Sequence, residues 1–464
     1  MVALGGCATR DYQPAPIDPQ TIGQAFESRR PDDPGLKQFL AARGLPVEPW
    51  PRPRWDLEGL SLLAIYFNDR IALARAEWQV ARAAETTAAA RANPGIMPVI
   101  EYHSGAGEFD SPWSLGLAFD LPWRPDSIRL ARLDQAAAQS RAAALEIAAA
   151  AWRARARVRA DLVDLMGAER ALSLAESETA ARRDIAEIER GRLALGEASA
   201  LDVGAAESAE RQAAREVESW RASLAGSRAS LAESLGLPLA AVETLEITFA
   251  PLSDRALPAL PARALQWAAL LNHLALRGAL EHYQAADAAL RIELARQFPE
   301  ITITPGLLWD QGDLVWTLGA ALLLPVLDRN QGPIEQAEAR RRLAARQVTA
   351  TQAQLIGALD RTLAEYQASL GAADRARQTL ADSQSRVAMI ERQLAAGEIG
   401  RLAVLATRLD QMVAARDLWQ AWVTAQRALG ALEDIVQQPL DGSAPLAVDP
   451  GAPWPANQIA PEPS

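Results

Sequence analysis

Residues 113–122 read WSLGLAFDLP and residues 316–325 read WTLGAALLLP. Six residue types recur in register: Trp113/Trp316, Leu115/Leu318, Gly116/Gly319, Ala118/Ala321, Leu121/Leu324 and Pro122/Pro325. Downstream, Gly196-Glu197 is echoed by Gly397-Glu398 at nearly the same spacing. Two matches in the same order at one spacing identify an internal repeat, so the chain is two copies of one plan.

Within the first copy the side chains alternate. Trp113, Leu115, Leu117, Phe119 and Leu121 fall on one face, with Ser114, Gly116, Ala118 and Asp120 on the other. In the second, Ile301, Ile303, Leu307 and Trp309 alternate with Glu300, Thr302, Thr304 and Gly306. That period of two predicts strands. Gly105-Ala106-Gly107 and Asp310-Gln311-Gly312-Asp313 suit tight reversals, which makes hairpins of 96–122 and 300–325. Isolated two-stranded hairpins are marginal in water and need partners. Each hairpin is preceded by a helix, about 56–93 and 262–297, closed by Pro94 and Pro299. Very long helices follow, about 124–195 and 332–396, broken at Gly196 and Gly397. Return helices run over 200–235 and 401–437. Leu359, Leu363, Tyr366, Leu370 and Ala373 step by four and three, and Leu380, Val387, Ile390 and Leu394 continue the register. A repeat of 3.5 imposes a left-handed supercoil. One helix over 124–195, at ~1.5 Å per residue, is about 108 Å long, a rod that no ordinary globular core holds.

The totals exclude several classes. Asp and Glu outnumber Lys and Arg, 58 to 47, which argues against a nucleic-acid binder. There is no apolar run long enough for a transmembrane helix, whereas a barrel strand needs only ~10 alternating residues. One cysteine precludes an internal disulfide. His103, His273 and His282 form no ligand cluster, no glycine-rich phosphate loop precedes a helix, and scattered histidines leave no Ser/His/Asp set. No catalytic residue, cofactor or metal site is expected. Leu4-Gly5-Gly6-Cys7 looks like the end of a bacterial lipoprotein signal, with Cys7 the acylated residue and residues 1–7 what is left of the signal. Residues 8–55 form a proline-rich extension with one short helix near 34–43. The first copy then runs over 56–238 and the second over 262–437. A linker at 239–261 carries a candidate strand at Leu245–Phe249, and a disordered tail covers 438–464.

Two stretches carry a family resemblance. LPVLDRNQGPIEQAEARR at 324–341 resembles the strand-to-helix junction of the TolC family of outer-membrane factors, specifically its heavy-metal branch of CzcC-like and CusC-like channels. GEASALDV at 196–203 and GEIGRLAV at 397–404 resemble the family's tip loop, a glycine followed some residues later by Asp-Val. The resemblance spans roughly residues 56–437. It implies a mainly α protein with a small β part. Long antiparallel coiled-coil hairpins would build a periplasmic α-barrel, and four strands per protomer would build the twelve-stranded transmembrane β-barrel of a homotrimer. It further implies a passive export duct of a tripartite efflux or secretion system, crossing the outer membrane and periplasm of a Gram-negative bacterium, with heavy-metal cations as cargo. Its partners would be outer-membrane lipid, a periplasmic adaptor (membrane fusion) protein and an inner-membrane RND-type or ABC pump. The adaptor would meet the tips at Gly196, Glu197, Ser199, Leu201, Gly397, Glu398, Gly400 and Leu402.

Family members with a charged gate carry acids on the second tip. Here Ala403 and Ala406 occupy those places, leaving Asp202 and Arg401 as the gate candidates. Trp113, Trp123, Trp309 and Trp316 flank the strands, as aromatics do at a membrane–water interface. The rival reading is a structural coiled coil or the adaptor itself. An adaptor, however, has one helical hairpin flanked by β domains, and this chain has two hairpins with strand pairs inside each copy.

Overall fold

The computed structural model describes residues 12–104, 111–123, 126–249, 257–258, 260–310, 312–322 and 324–440. Two short helices, α1 (Pro19–Glu27) and α2 (Pro34–Ala41), open the chain. The first copy comprises α3 (Leu57–Phe67), α4 (Asp69–Ala89), β1 (Gly95–Tyr102), β2 (Trp113–Trp123), α5 (Asp126–Ala194) and α6 (Ala200–Leu235). After α7 (Leu239–Val242) the second copy repeats the order: α8 (Ala262–Asn272), α9 (Leu274–Ala295), β3 (Ile301–Asp310), β4 (Asp313–Leu322), α10 (Gln331–Ala395) and α11 (Arg401–Val436). The 69 residues of α5 make a rod of about 100 Å.

The helix expected over 56–93 is two helices. Asn68 leaves helical geometry (ψ 110°), and its side chain accepts from the amides of Arg70 and Ile71, which starts α4. His273 (ψ 116°) makes the equivalent break between α8 and α9. Hydrophobic periodicity runs through both junctions, so only the cap residue marks them. The helices also stop before Pro94 and Pro299, at Ala89 and Ala295.

The amino-terminal segment is more than an extension with one helix. Asp18 and Asp33 each cap a helix with proline in its first turn, giving two. Leu36, Phe39, Leu40 and Trp55 are buried in one core with Leu60, Leu63, Leu162 and Leu235. In place of a strand, Leu245–Phe249 makes one parallel bridge, Ile247 to Trp55. The amide of Trp55 donates to the Glu246 carbonyl, and Thr248 donates to Trp55. A second core gathers Leu265, Leu359, Leu363, Tyr366, Leu429 and Val436 from α8, α10 and α11. α5 lies between the two, packed against α3, α4, α6, α9 and α11. Half of its buried residues are alanine, which lets helices approach closely. In α10 the heptad side chains of Leu359, Leu363, Tyr366 and Ala373 are buried and Leu370 is half-buried, whereas Leu394, near the far end, is exposed.

The four strands form one antiparallel sheet in the order β1-β2-β3-β4, with the strand pairs of both copies side by side. The helices α4, α5, α9 and α10 connect to it at one end. The β1–β2 loop and the β3–β4 turn lie at the other. At that turn Gly312 adopts φ +106°, a conformation suited to glycine. Gly105-Ala106-Gly107 lies outside the described residues.

Candidate functional site

Antiparallel pairing puts partnered residues on the same face, so the register defines both faces of the sheet. Leu115 pairs with Ile100 and Trp309, Leu117 with Pro98 and Leu307, and Phe119 with Ile96. On β4 the same row continues with Leu314, Trp316, Leu318, Ala320 and Leu322. This face is apolar across all four strands and is exposed; Trp316 and Leu318 are 77% and 79% accessible. Large contiguous apolar surfaces are rare on soluble proteins. The opposite face carries Gly116, Ala118, Asp120, Thr302, Thr304, Gly306, Thr317 and Gly319, with Met97, Val99, Leu308 and Val315 among these small and polar residues. Among the described residues no helix is long and apolar enough to cross a membrane.

Trp113, Trp309 and Trp316 lie on the apolar face toward the loop end. Tyr102 joins them, its ring edge-on to Trp113 at 5.0 Å. Trp123 occupies the helix end of β2, paired with Ile301.

At the loop end the structure also assembles a set that sequence separation concealed. His103 Nε2 lies 2.8 Å from Ser114 Oγ, and Ser114 donates to Asp310 Oδ1. His103 Nε2 is 3.5 Å from the same carboxylate oxygen. The expectation that no Ser/His/Asp group forms is therefore corrected: strand register brings together residues from β2, β3 and the loop after β1. The proton order is unlike that of a hydrolase. Ser114 gives its only proton to Asp310, so the imidazole N–H donates to Ser114 instead of withdrawing its proton. The set ties the β1–β2 loop to the β3–β4 turn on the polar face.

At the far end, about 100 Å away along α5, both tips share one turn. Gly196 and Gly397 sit at φ +77° and +76°. The Gly196 and Glu197 amides donate to Leu193 and Arg192, and the Gly397 and Glu398 amides to Leu394 and Gln393. This is the Schellman pattern, which satisfies the last helical carbonyls. The entries to the return helices differ. Ser199 and Asp202 form a reciprocal capping box: the Asp202 amide donates to Ser199 Oγ, and the Ser199 amide and hydroxyl donate to Asp202 at 2.9 and 2.7 Å. Those bonds, first that from the hydroxyl, hold the Asp202 pKa below its ordinary value. Gly400, the equivalent residue, has no side-chain cap.

The two gate candidates are not brought together within the protomer. Asp202 caps its own helix, and Arg401 reaches Asp184 on α5 at 3.4 Å. Leu201 is 81% exposed, whereas Leu402 is half-buried. Cys7 lies outside the described residues.

Sequence reading also missed a buried ionic cluster midway along the helices. Glu433 on α11 receives Arg155 at 3.1 Å and Arg159 at 3.3 Å from α5; the three side chains are 1%, 5% and 3% exposed. Arg159 also donates to the Gln426 carbonyl and side chain, at 2.7 and 2.9 Å. It can lie against α11 because residue 430 is glycine; a Cβ there would collide with its Nη1. The cluster joins the first copy to the second. The alternation of Arg155, Arg159 and Glu433 with alanines and leucines was its only sequence signal.

Sheet, rods and tips together make a four-stranded sheet with one exposed apolar face at one end of a long helical body. Residues 266–436, nearly the whole second copy, match the outer membrane efflux protein family model. The fold resembles the outer membrane protein VceC of Vibrio cholerae (TM-score 0.66, 18% identity, 82% of this chain and 95% of that one). It also resembles the CmeC channel of Campylobacter jejuni (0.65, 12%, 82% and 85%) and the open MtrE channel of Neisseria gonorrhoeae (0.59, 17%, 82% and 88%). No curated protein is similar enough in sequence to match. The chain thus has the fold of these outer membrane channels, and its second copy carries the match to the outer membrane efflux protein family.

Proposed function

We propose that three copies of this chain close into a passive duct that carries cargo across the outer membrane and periplasm for a tripartite efflux assembly. The observation behind this reading is the open sheet. Its outer face is apolar, yet β1 and β4 are edges with unpaired backbone groups. In hydrocarbon each unpaired group costs several kcal/mol, so only a closed barrel is admissible. Joining β4 of one copy to β1 of the next removes both edges. Three copies give twelve strands, an even number as in bacterial barrels. Trp113, Trp123, Trp309 and Trp316 then anchor the barrel at the two interfaces.

The tips point away from the membrane and offer turns, exposed leucines and accessible backbone. A periplasmic adaptor docks there on Gly196, Glu197, Ser199, Leu201, Gly397, Glu398, Gly400 and Leu402, and couples the duct to an inner-membrane RND-type or ABC pump. Arg401 with Asp184 ties the second hairpin to the first at this end, and Asp202 sets the rigidity of the first tip. The cargo we assign is heavy-metal cations, on the resemblance of residues 324–341. Deleting the gene should then sensitise cells to such cations before other toxicants.

The deciding measurement is the mass and location of the full-length protein. Detergent extracts of the outer-membrane fraction should contain a three-chain species that conducts in planar bilayers. A water-soluble monomer or dimer would remove the duct and favour the adaptor reading.

A further inference from the structure

We propose that a cavity between α5, α6 and α11 is a binding site for a small neutral aromatic molecule carrying a hydrogen-bond acceptor. The cavity measures about 180 Å³ and lies inside one protomer's helix wall, where the two copies meet. A dry apolar cavity of ~150 Å³ accommodates benzene, so a single ring fits. Ala168, Ala171, Leu174 and Val423 supply aliphatic walls, and Trp220 and Trp419 supply aromatic ones.

Three features specify the ligand. First, the Trp419 indole N–H is shut off from solvent and has no acceptor among the described residues. An indole nitrogen only donates, so its complement is an acceptor on the guest. Second, Trp419 stacks on Trp422, centroids 4.9 Å apart and planes 12° apart, which holds the donor in place. Third, the charges at both ends are already matched. Arg427 meets Asp164 at 2.6 Å, and Arg416 lies 3.4 Å from Glu178 and 3.6 Å from Glu216. No uncompensated cation remains to favour an anionic guest, so a carboxamide or alcohol suits the site better than a carboxylate. A guest here touches three helices from both copies and would brace them against one another.

The test is ligand-observed fluorine NMR on the full-length protein in lipid nanodiscs, with 4-fluorobenzamide and 4-fluorotoluene as probes. The rings match and only the amide offers a carbonyl. We expect 4-fluorobenzamide to bind about fivefold more tightly, the value of one neutral hydrogen bond. Trp419→Phe should retain both probes and erase the difference between them. Ala171→Leu should fill the cavity and expel both; Ser227→Leu, from the facing helix, serves the same purpose if Ala171→Leu fails to assemble. Equal affinities in the wild type, a difference that survives Trp419→Phe, or binding that survives the filling variants would overturn the proposal. Absence of binding by either probe at millimolar concentration would also overturn it, leaving the space to water or to a neighbouring protomer's side chain.

Discussion

Removing Glu433 should cost far more than its single carboxylate suggests. In the folded chain that group is almost fully buried, and it compensates two guanidiniums that are equally inaccessible. It also accepts the Leu440 amide at 3.0 Å. Glu433→Ala leaves Arg155 and Arg159 in the interior without a counter-charge. Breaking a buried pair from one side costs about 3–5 kcal/mol. Urea titration followed by helical circular dichroism should show that loss. Replacing all three charges together, with Arg155→Met, Arg159→Met and Glu433→Leu, should restore most of the stability, because apolar groups of similar size carry no desolvation penalty. Gly430→Ala gives a test of sign. Alanine is the better helix former by ~1 kcal/mol, so propensity alone predicts a gain. The collision with Arg159 predicts a net loss of about 1–2 kcal/mol, since a charge-assisted hydrogen bond is forfeited. A Glu433→Ala loss below about 1 kcal/mol, or a triple variant as unstable as the single, would show that the cluster does not join the copies.

Other perturbations test the remaining parts. Leu117→Arg should impair insertion by ~2–4 kcal/mol near mid-bilayer, whereas Thr302→Arg on the polar face should assemble; equal behaviour in a heat-modifiability gel would refute the assigned faces. Ser199→Ala should speed amide exchange at the start of α6 and leave the start of α11 unchanged, because only the first tip has a side-chain cap. His273 sits at the α8–α9 junction, its Nδ1 buried and without a partner among the described residues. Burial holds its pKa below 6.5, with Asp434 pulling the other way. Its neutral form is therefore the folded one, and its contribution is complete above pH 6.5 and lost as pH falls below it. His273→Gln should flatten the pH dependence of thermal stability in that range; an unchanged slope would assign the dependence elsewhere. Cys7→Ala in a chain with a complete signal should abolish labelling by a fatty-acid analogue, and persistent labelling would exclude Cys7 as the acylated residue.

Periodicity alone made the strands and rods legible. Alternation in 113–122 and in 301–309 requires strands with one apolar face, and the heptad from Leu359 to Ala373 requires a supercoiled helix. The glycines at 196 and 397 mark the ends of those rods, because a Schellman turn places its residue at positive φ. These are local demands of backbone geometry and solvent, so they are written in neighbouring residues. The chain by itself therefore determined two copies of one plan, a sheet with one apolar face and long helical hairpins.

What the tertiary structure decided depends on residues far apart in sequence. Asn68 and His273 are unremarkable until helix geometry is seen to end there. Trp55 and Phe39 sit in a proline-rich stretch that gives no hint of the core they enter. Asp202 and Arg401 look like opposed charges near one axis, yet one caps its own helix and the other pairs with Asp184. Glu433 lies far along the chain from Arg155 and Arg159, and Ser114 far from Asp310. Their pairing arises only when α5 packs on α11 and β2 on β3. A buried charge or a shared hydrogen bond is stabilised by the fold that excludes water around it, and that exclusion belongs to the packed copies together.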